Sequence, residues 1–195
     1  MRDLTNVQKN TCVAIINIFE TGEVGGDYSN VTSVEGDPGG LTYGKSQTTL
    51  MSGNLHALIE SYCFTPGAKF ADNLRAYLPQ LKNRDRSLNH DEKFHEILES
   101  AGLEPLMQQV QDRFFDHAYW TPAIKQAQSL GIETALGTAV VYDSFIHGSW
   151  KLISDRTNQK FGTAAVRGEK SWIAKYVSER RNWLANHPTI PLLHK

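Results

Sequence analysis

One run of this chain breaks the periodicity of everything around it. From Gly22 to Gly44, "GEVGGDYSNVTSVEGDPGGLTYG", the apolar repeat gives way to glycine, serine, threonine, aspartate and tyrosine. "VGG", "EGD" and "DPGG" are turn signals between short β-prone pieces, so this stretch reads as a small hairpin or irregular β segment. Helical spacing flanks it. Val7 to Phe19 carries apolar residues at Val13, Ile16, Ile18 and Phe19, with Thr5 or Asn6 as N-cap and a stop near Thr21-Gly22. Beyond it, "SQTTLMSGNLHALIESYC" returns to helical spacing, with Gly53-Asn54 as a local break. Further helices are expected over 68–78, 91–101, 104–119, 122–130, 133–147 and 170–185. The pattern defines a mainly α (α+β) fold with a small β-containing segment near the N-terminal third, one wall of a cleft.

At 195 residues and 40% hydrophobic, the chain can bury one good core, or at most two small lobes. A single domain over 1–195 is the default. Charges nearly cancel, at −1, and the densest basic cluster, Lys82, Arg84 and Arg86, is interrupted by Asp85. That cluster reads as a solvated helix end, so nucleic acid is not expected as a partner. Cys12 and Cys63 are too few for a disulfide framework and lack metal or redox spacing; buried thiols are expected, with a single bridge left open. The first residues match neither a signal peptide nor a membrane span, so a soluble chain with no membrane partner is expected.

Residue types narrow the chemistry. His90 and His95 lie five apart, off a shared helix face, and no H-E-x-x-H or Cys/His cluster occurs, so no metal is expected. Neither Ser46 nor Ser52 lies in a nucleophile elbow, and "DPGGLTYGK" lacks Walker spacing. A pair of carboxylates remains. Glu20 follows Ile15, Ile16, Ile18 and Phe19, where desolvation would keep a carboxylic acid protonated, and Asp37 lies in a polar turn suited to a hydrated carboxylate. Glycosidic hydrolysis asks for that division of labour, and glycines let the backbone approach an extended sugar chain. From spacing alone, a helix-terminal glutamate and a turn aspartate are more often ordinary solvated carboxylates.

"IFETG", "EGDPGGLTYG" and "DHAYWTPAIKQAQSLGIETALGTAVVYDSFIHGS" together resemble the chitosanases of glycoside hydrolase family 46, within the lysozyme-like superfamily. The resemblance spans residue 12 to about 184 and implies a lysozyme-like helical domain with its active-site cleft beside the β segment. It implies Glu20 as general acid, Asp37 as base and Thr42 as holder of the attacking water, although Pro38 stands where the family has a glycine. It also places Asp143, in "YDSFIHG", and Arg180, in "YVSERRNWL", in an ion-pair network near the acid, with Arg167 as third member. No cofactor is implied.

The family reads a glucosamine ammonium with an aspartate about twelve residues after the threonine; here Asn54 stands there. Asparagine hydrogen-bonds an acetamide but carries no charge to neutralise a cation. "EVGG" followed by "DPGGLTYG" also resembles some phage muramidases. The leading expectation is therefore a peptidoglycan hydrolase, bacteriolytic and inverting, with chitosan hydrolysis as the alternative and an inactive glycan-binding or interaction module as the second. Tyr43 is a candidate sugar-stacking residue, alongside Tyr28 and Tyr62, whereas the tryptophans read as core. The expected partner is a polysaccharide, peptidoglycan or chitosan, outside the cell or in the periplasm. Export would then use a removed leader, a larger protein or another route. No inhibitor or immunity protein is identified.

Overall fold

In a computed structural model the described residues are 4–22 and 24–186, without the side chains of Glu20 and Thr21. The fold is mainly helical, with one small antiparallel sheet. It divides into two compact units, residues 17–116 and the remainder, and the chain passes between them inside its first helix and again at Asp116–His117.

That first helix, α1, spans Asn6–Thr21. Thr5 and Gln8 close a reciprocal cap at its start: the Thr5 hydroxyl oxygen accepts from the Gln8 N–H at 3.2 Å, and Gln8 Oε1 accepts from the Thr5 N–H at 2.9 Å.

The unit of residues 17–116 holds the sheet, β1 (Val31–Thr32), β2 (Thr42–Tyr43) and β3 (Thr48–Thr49), in the order β1-β2-β3. Val31 pairs with Tyr43, and Thr42 with Thr49. The β segment thus extends past Gly44 to Thr49, and the helical spacing read from Ser46 onward is corrected: α2 (Asn54–Cys63) begins only after Gly53, whose φ of 83° is left-handed. Then follow α3 (Ala71–Arg75), α4 (Leu78–Lys82), a 3-10 helix at Arg86–His90, α5 (Glu92–Gly102) and α6 (Pro105–Phe115). Buried Leu55, Leu58, Ile59 and Tyr62 of α2 meet Leu41, Leu74, Leu81, Leu88, Phe94 and Leu98 in one core. Tyr62 donates its hydroxyl hydrogen to the buried Glu104 carboxylate and accepts from the Phe70 N–H at 3.1 Å, so a sugar cannot stack on it. Gly44 has a left-handed φ of 78°, and a Cβ there would stand 2.3 Å from Gln111 Oε1, so a larger residue would be strained and would displace the Gln111 side chain.

Across the other boundary, a π-helical turn at Asp116–Trp120 leads to α7 (Thr121–Ser129), α8 (Ala135–Ile146), α9 (Trp150–Phe161), α10 (Ala164–Arg167) and α11 (Glu169–Asn186). Here α7 packs on α8, and α9 on α11. Trp120, Trp150 and Trp172 are buried with Tyr142 and Tyr176 in a second core, as their helical positions predict. Cys12 and Cys63 are free, buried thiols, one in each unit.

Candidate active site

The residues singled out for catalysis fall in residues 17–116. Glu20 lies in the last turn of α1; its side chain is outside the described residues. Asp37 opens the turn that leads into β2. Its Oδ1 accepts from the Gly39 N–H at 3.0 Å, a side-chain-closed turn of the kind aspartate favours. Among the described residues Oδ2 has no hydrogen-bond partner, so one carboxylate oxygen is fixed by backbone and the other is available for proton transfer. The backbone follows the same turn: the Asp37 N–H bonds the Val34 carbonyl at 3.1 Å, and the Gly40 N–H the Asp37 carbonyl at 3.2 Å.

Thr42 lies five residues on, at the start of β2. Its hydroxyl donates to the Thr32 carbonyl at 3.2 Å and lies 3.0 Å from the Thr32 hydroxyl across the ladder. Strand alternation sends the next side chain to the opposite face. Tyr43 is accordingly fully buried, with its hydroxyl donating to the Leu98 carbonyl at 2.8 Å. This corrects its candidacy as a sugar-stacking residue: the ring has no solvent-facing side, and burial drives the phenol pKa far up. Tyr28 is also engaged, donating to Asp112 at 2.9 Å and accepting from Lys45 Nζ at 3.1 Å. Asn54 is the first residue of α2, half-buried, and its backbone N–H donates to the Ser52 hydroxyl at 3.1 Å.

Two further residues reach the Asp37 turn, and the sequence reading passed over both. The Arg86 guanidinium donates to the carbonyls of Asp37, at 3.4 Å, and Pro38, at 3.1 Å. Asn89 Oδ1 accepts from the Leu41 N–H at 2.9 Å. Their partners are backbone atoms, which no side-chain pattern announces, and Arg86 belongs to a mixed-charge run that resembles a solvated helix end.

The network residues lie in the other unit. Arg180 Nη1 donates to Asp143 Oδ2, joining α11 to α8. His147, one turn beyond Asp143, brings Nε2 within 3.4 Å of Oδ1. Burial raises the Asp143 pKa, but His147 and Arg180 outweigh it and hold the carboxyl below its ordinary value. Arg167 does not join, a correction: it is exposed on α10 and its Nε donates to the Phe161 carbonyl, because the short α10 turns it back toward the end of α9. His147 takes the place expected of Arg167; its i, i+4 spacing from Asp143 in "DSFIH" was the signal for it.

Among the described residues no cluster of His, Cys, Asp or Glu is arranged to hold a metal, and no helix is long and apolar enough to cross a membrane.

A mainly helical chain with a glutamate ending its first helix and an aspartate turn feeding a three-stranded sheet is organised as a lysozyme-like glycoside hydrolase. The model of glycosyl hydrolase family 46 matches residues 14–189, and the chain belongs to that family. It is 31% identical to the chitosanase of Bacillus subtilis strain 168, over 95% of this chain and 72% of that protein. The native chitosanase of Bacillus subtilis MY002 superposes with a TM-score of 0.82 at 28% identity, covering 96% of this chain and 81% of the other. A mutant of the same enzyme has been solved with 6 GlcN, and matches equally well. The chitosanase of Gynuella sunshinyii, in complex with chitotetraose, superposes with a TM-score of 0.83 at 25% identity, covering 96% and 81%.

Proposed function

We propose that this glycoside hydrolase is a chitosanase, cutting β-1,4 bonds between glucosamine units by an inverting acid/base mechanism. The observation that carries the substrate is the 31% identity to a chitosanase across nearly the whole chain. Relatives solved with 6 GlcN and with chitotetraose add support. The muramidase expectation rested on Asn54 and on the glycine pattern, whereas the similar proteins are chitosanases by name. It gives way to chitosan. Asn54 does not oppose this, because its amide oxygen accepts a hydrogen bond from an ammonium as well as from an acetamide N–H.

In this reading Glu20 protonates the leaving oxygen while Asp37, through Oδ2, takes a proton from the attacking water. Gly39 holds Oδ1, so the carboxylate does not rotate as it works. The Thr42 hydroxyl, whose hydrogen is directed at the Thr32 carbonyl, keeps a lone pair to accept from that water. Acid and base roughly 6.5–9.5 Å apart leave room for it. None of these steps calls for a metal or an organic cofactor.

The test compares reducing-end release from highly deacetylated chitosan with clearing of purified sacculi. Chitosan cleavage without clearing, with the α-anomer formed first by NMR, is expected. Clearing of sacculi with no release from chitosan overturns the substrate, and first formation of the β-anomer overturns the single displacement.

A further inference from the structure

The turn that carries Asp37 is held from outside by one short helix, and the three hydrogen bonds that hold it come from two residues on one side of that helix. In a 3-10 helix, residues three apart are eclipsed. Arg86 and Asn89 therefore project together from the Arg86–His90 segment. Arg86 reaches the carbonyls of Asp37 and Pro38, at 3.4 and 3.1 Å, and Asn89 takes the N–H of Leu41 at 2.9 Å. On its other side the turn is tied to the residues that follow β3, with the Met51 N–H on the Gly39 carbonyl at 3.1 Å and the Leu50 N–H on the Leu41 carbonyl at 2.8 Å. Gly40 completes the fit. Its φ of 65° is left-handed, and a Cβ there would stand 3.1 Å from Asn89 Oδ1.

The short helix is itself anchored. Leu88 is fully buried in the core of this unit, and the His95 ring bonds the Leu88 carbonyl at 2.9 Å. Asp85 caps its start by accepting from the Ser87 N–H at 2.9 Å. Positional constraint thus runs from the core, through Leu88, to the backbone on both sides of Gly39. Pro38 has no N–H to offer, so the carbonyls of Asp37 and Pro38 are the handles by which this peptide is gripped.

We infer that Arg86 and Asn89 are positioning residues for hydrolysis: acting through the backbone of the Asp37–Thr42 turn, they set where the Asp37 carboxylate stands. The inference rests on reading Asp37 as the base. A displaced catalytic group costs turnover far more than ground-state binding, and a shift of about 1 Å can lower the rate on the order of a hundredfold.

The experiment measures kcat, KM and melting temperature for Arg86→Ala, Arg86→Lys, Asn89→Leu and Asn89→Asp on chitosan oligomers, with Asp37→Ala in parallel. Arg86→Ala and Asn89→Leu are expected to lower kcat about tenfold or more, with KM changed less than about twofold. Asn89→Asp keeps an oxygen for the Leu41 N–H and should recover most of the rate, while Arg86→Lys, without the two-pronged fork, recovers part. Full kcat in both Arg86→Ala and Asn89→Leu, with only the melting temperature lowered, overturns the inference; should Asn89→Leu not fold, the exposed Arg86→Ala decides alone. An active Asp37→Ala overturns the reading of the base itself. An inactive Asp37→Ala beside fully active Arg86→Ala and Asn89→Leu leaves that reading standing and removes only the positioning role.

Discussion

Arg180 donates to one oxygen of the Asp143 carboxylate while His147 approaches the other at 3.4 Å, so a single acid joins α8 to α11. Both partners of the ion pair are largely withdrawn from solvent, with side chains 21% and 17% exposed. Such a pair is costly to break from one side, because the remaining charge keeps its desolvation penalty and loses its compensation.

Removing Arg180 is therefore expected to cost more stability than removing both charges. Arg180→Met should lower unfolding stability by about 3 kcal/mol, and Asp143→Asn with Arg180→Met by less, in urea denaturation at neutral pH. The pH dependence has a definite sign. The folded carboxyl titrates below its ordinary value, so its contribution is present above that value and is lost as pH falls through the lower, folded one. Wild-type stability should drop below about pH 4, and Asp143→Asn should show a shallower drop across the same window in circular dichroism.

Glu20→Gln preserves side-chain shape and removes the proton that the leaving oxygen needs. Turnover on chitosan oligomers should fall by roughly a hundredfold or more, with the melting temperature little changed. A folded variant retaining near-wild-type kcat would falsify the general-acid assignment.

Asn54→Asp adds a negative charge at the start of α2, in the place the family resemblance gives to an ammonium-reading aspartate. A charge-assisted hydrogen bond is about twice as strong as a neutral one. We expect kcat/KM on fully deacetylated chitosan to rise by about three- to tenfold relative to partly acetylated chitosan. An unchanged ratio removes Asn54 from the sugar-reading residues.

Tyr43→Phe leaves the Leu98 carbonyl without its buried donor. A loss of about 1 kcal/mol is expected in equilibrium unfolding, with KM for chitosan unaltered. A raised KM with unchanged stability would return Tyr43 to the sugar-binding surface.

What the sequence made readable, and what it hid, follows from how each element buries itself. The extent of α1 was plain, with Thr5 capping its start, but its buried face was not: Cys12 and Ile16 are buried, whereas Ile18 and Phe19, read as part of the apolar stripe, are exposed. The α9 helix was not foreseen: its buried face alternates Trp150 and Ile153 with Ser154 and Thr157, whose hydroxyls bond backbone carbonyls of their own helix. A hydroxyl that satisfies itself in this way packs like an apolar group while reading as polar. Ser46 to Ser52 failed in the opposite sense, since cross-strand pairing of Thr48 with Tyr43 overrode an apparent helical spacing. Within the candidate site, Thr42 was named only through the family resemblance, whereas the turn at Asp37 was legible because turn chemistry is local. Arg86 and Asn89 were not, because their bonds span 48 or 49 residues to backbone atoms, and a backbone partner leaves no trace in side-chain identity.

The two cysteines carry a practical consequence. Cys12 donates to the Ala135 carbonyl, Cys63 to that of Ala71, and burial raises both thiol pKa values. Neither sulfur can meet a disulfide reagent until the structure around it opens, and each belongs to a different compact unit. Labelling rates of Cys12→Ala and Cys63→Ala proteins, one thiol apiece, would thus time the breathing of each unit separately and show whether both open in one cooperative event or each at its own rate.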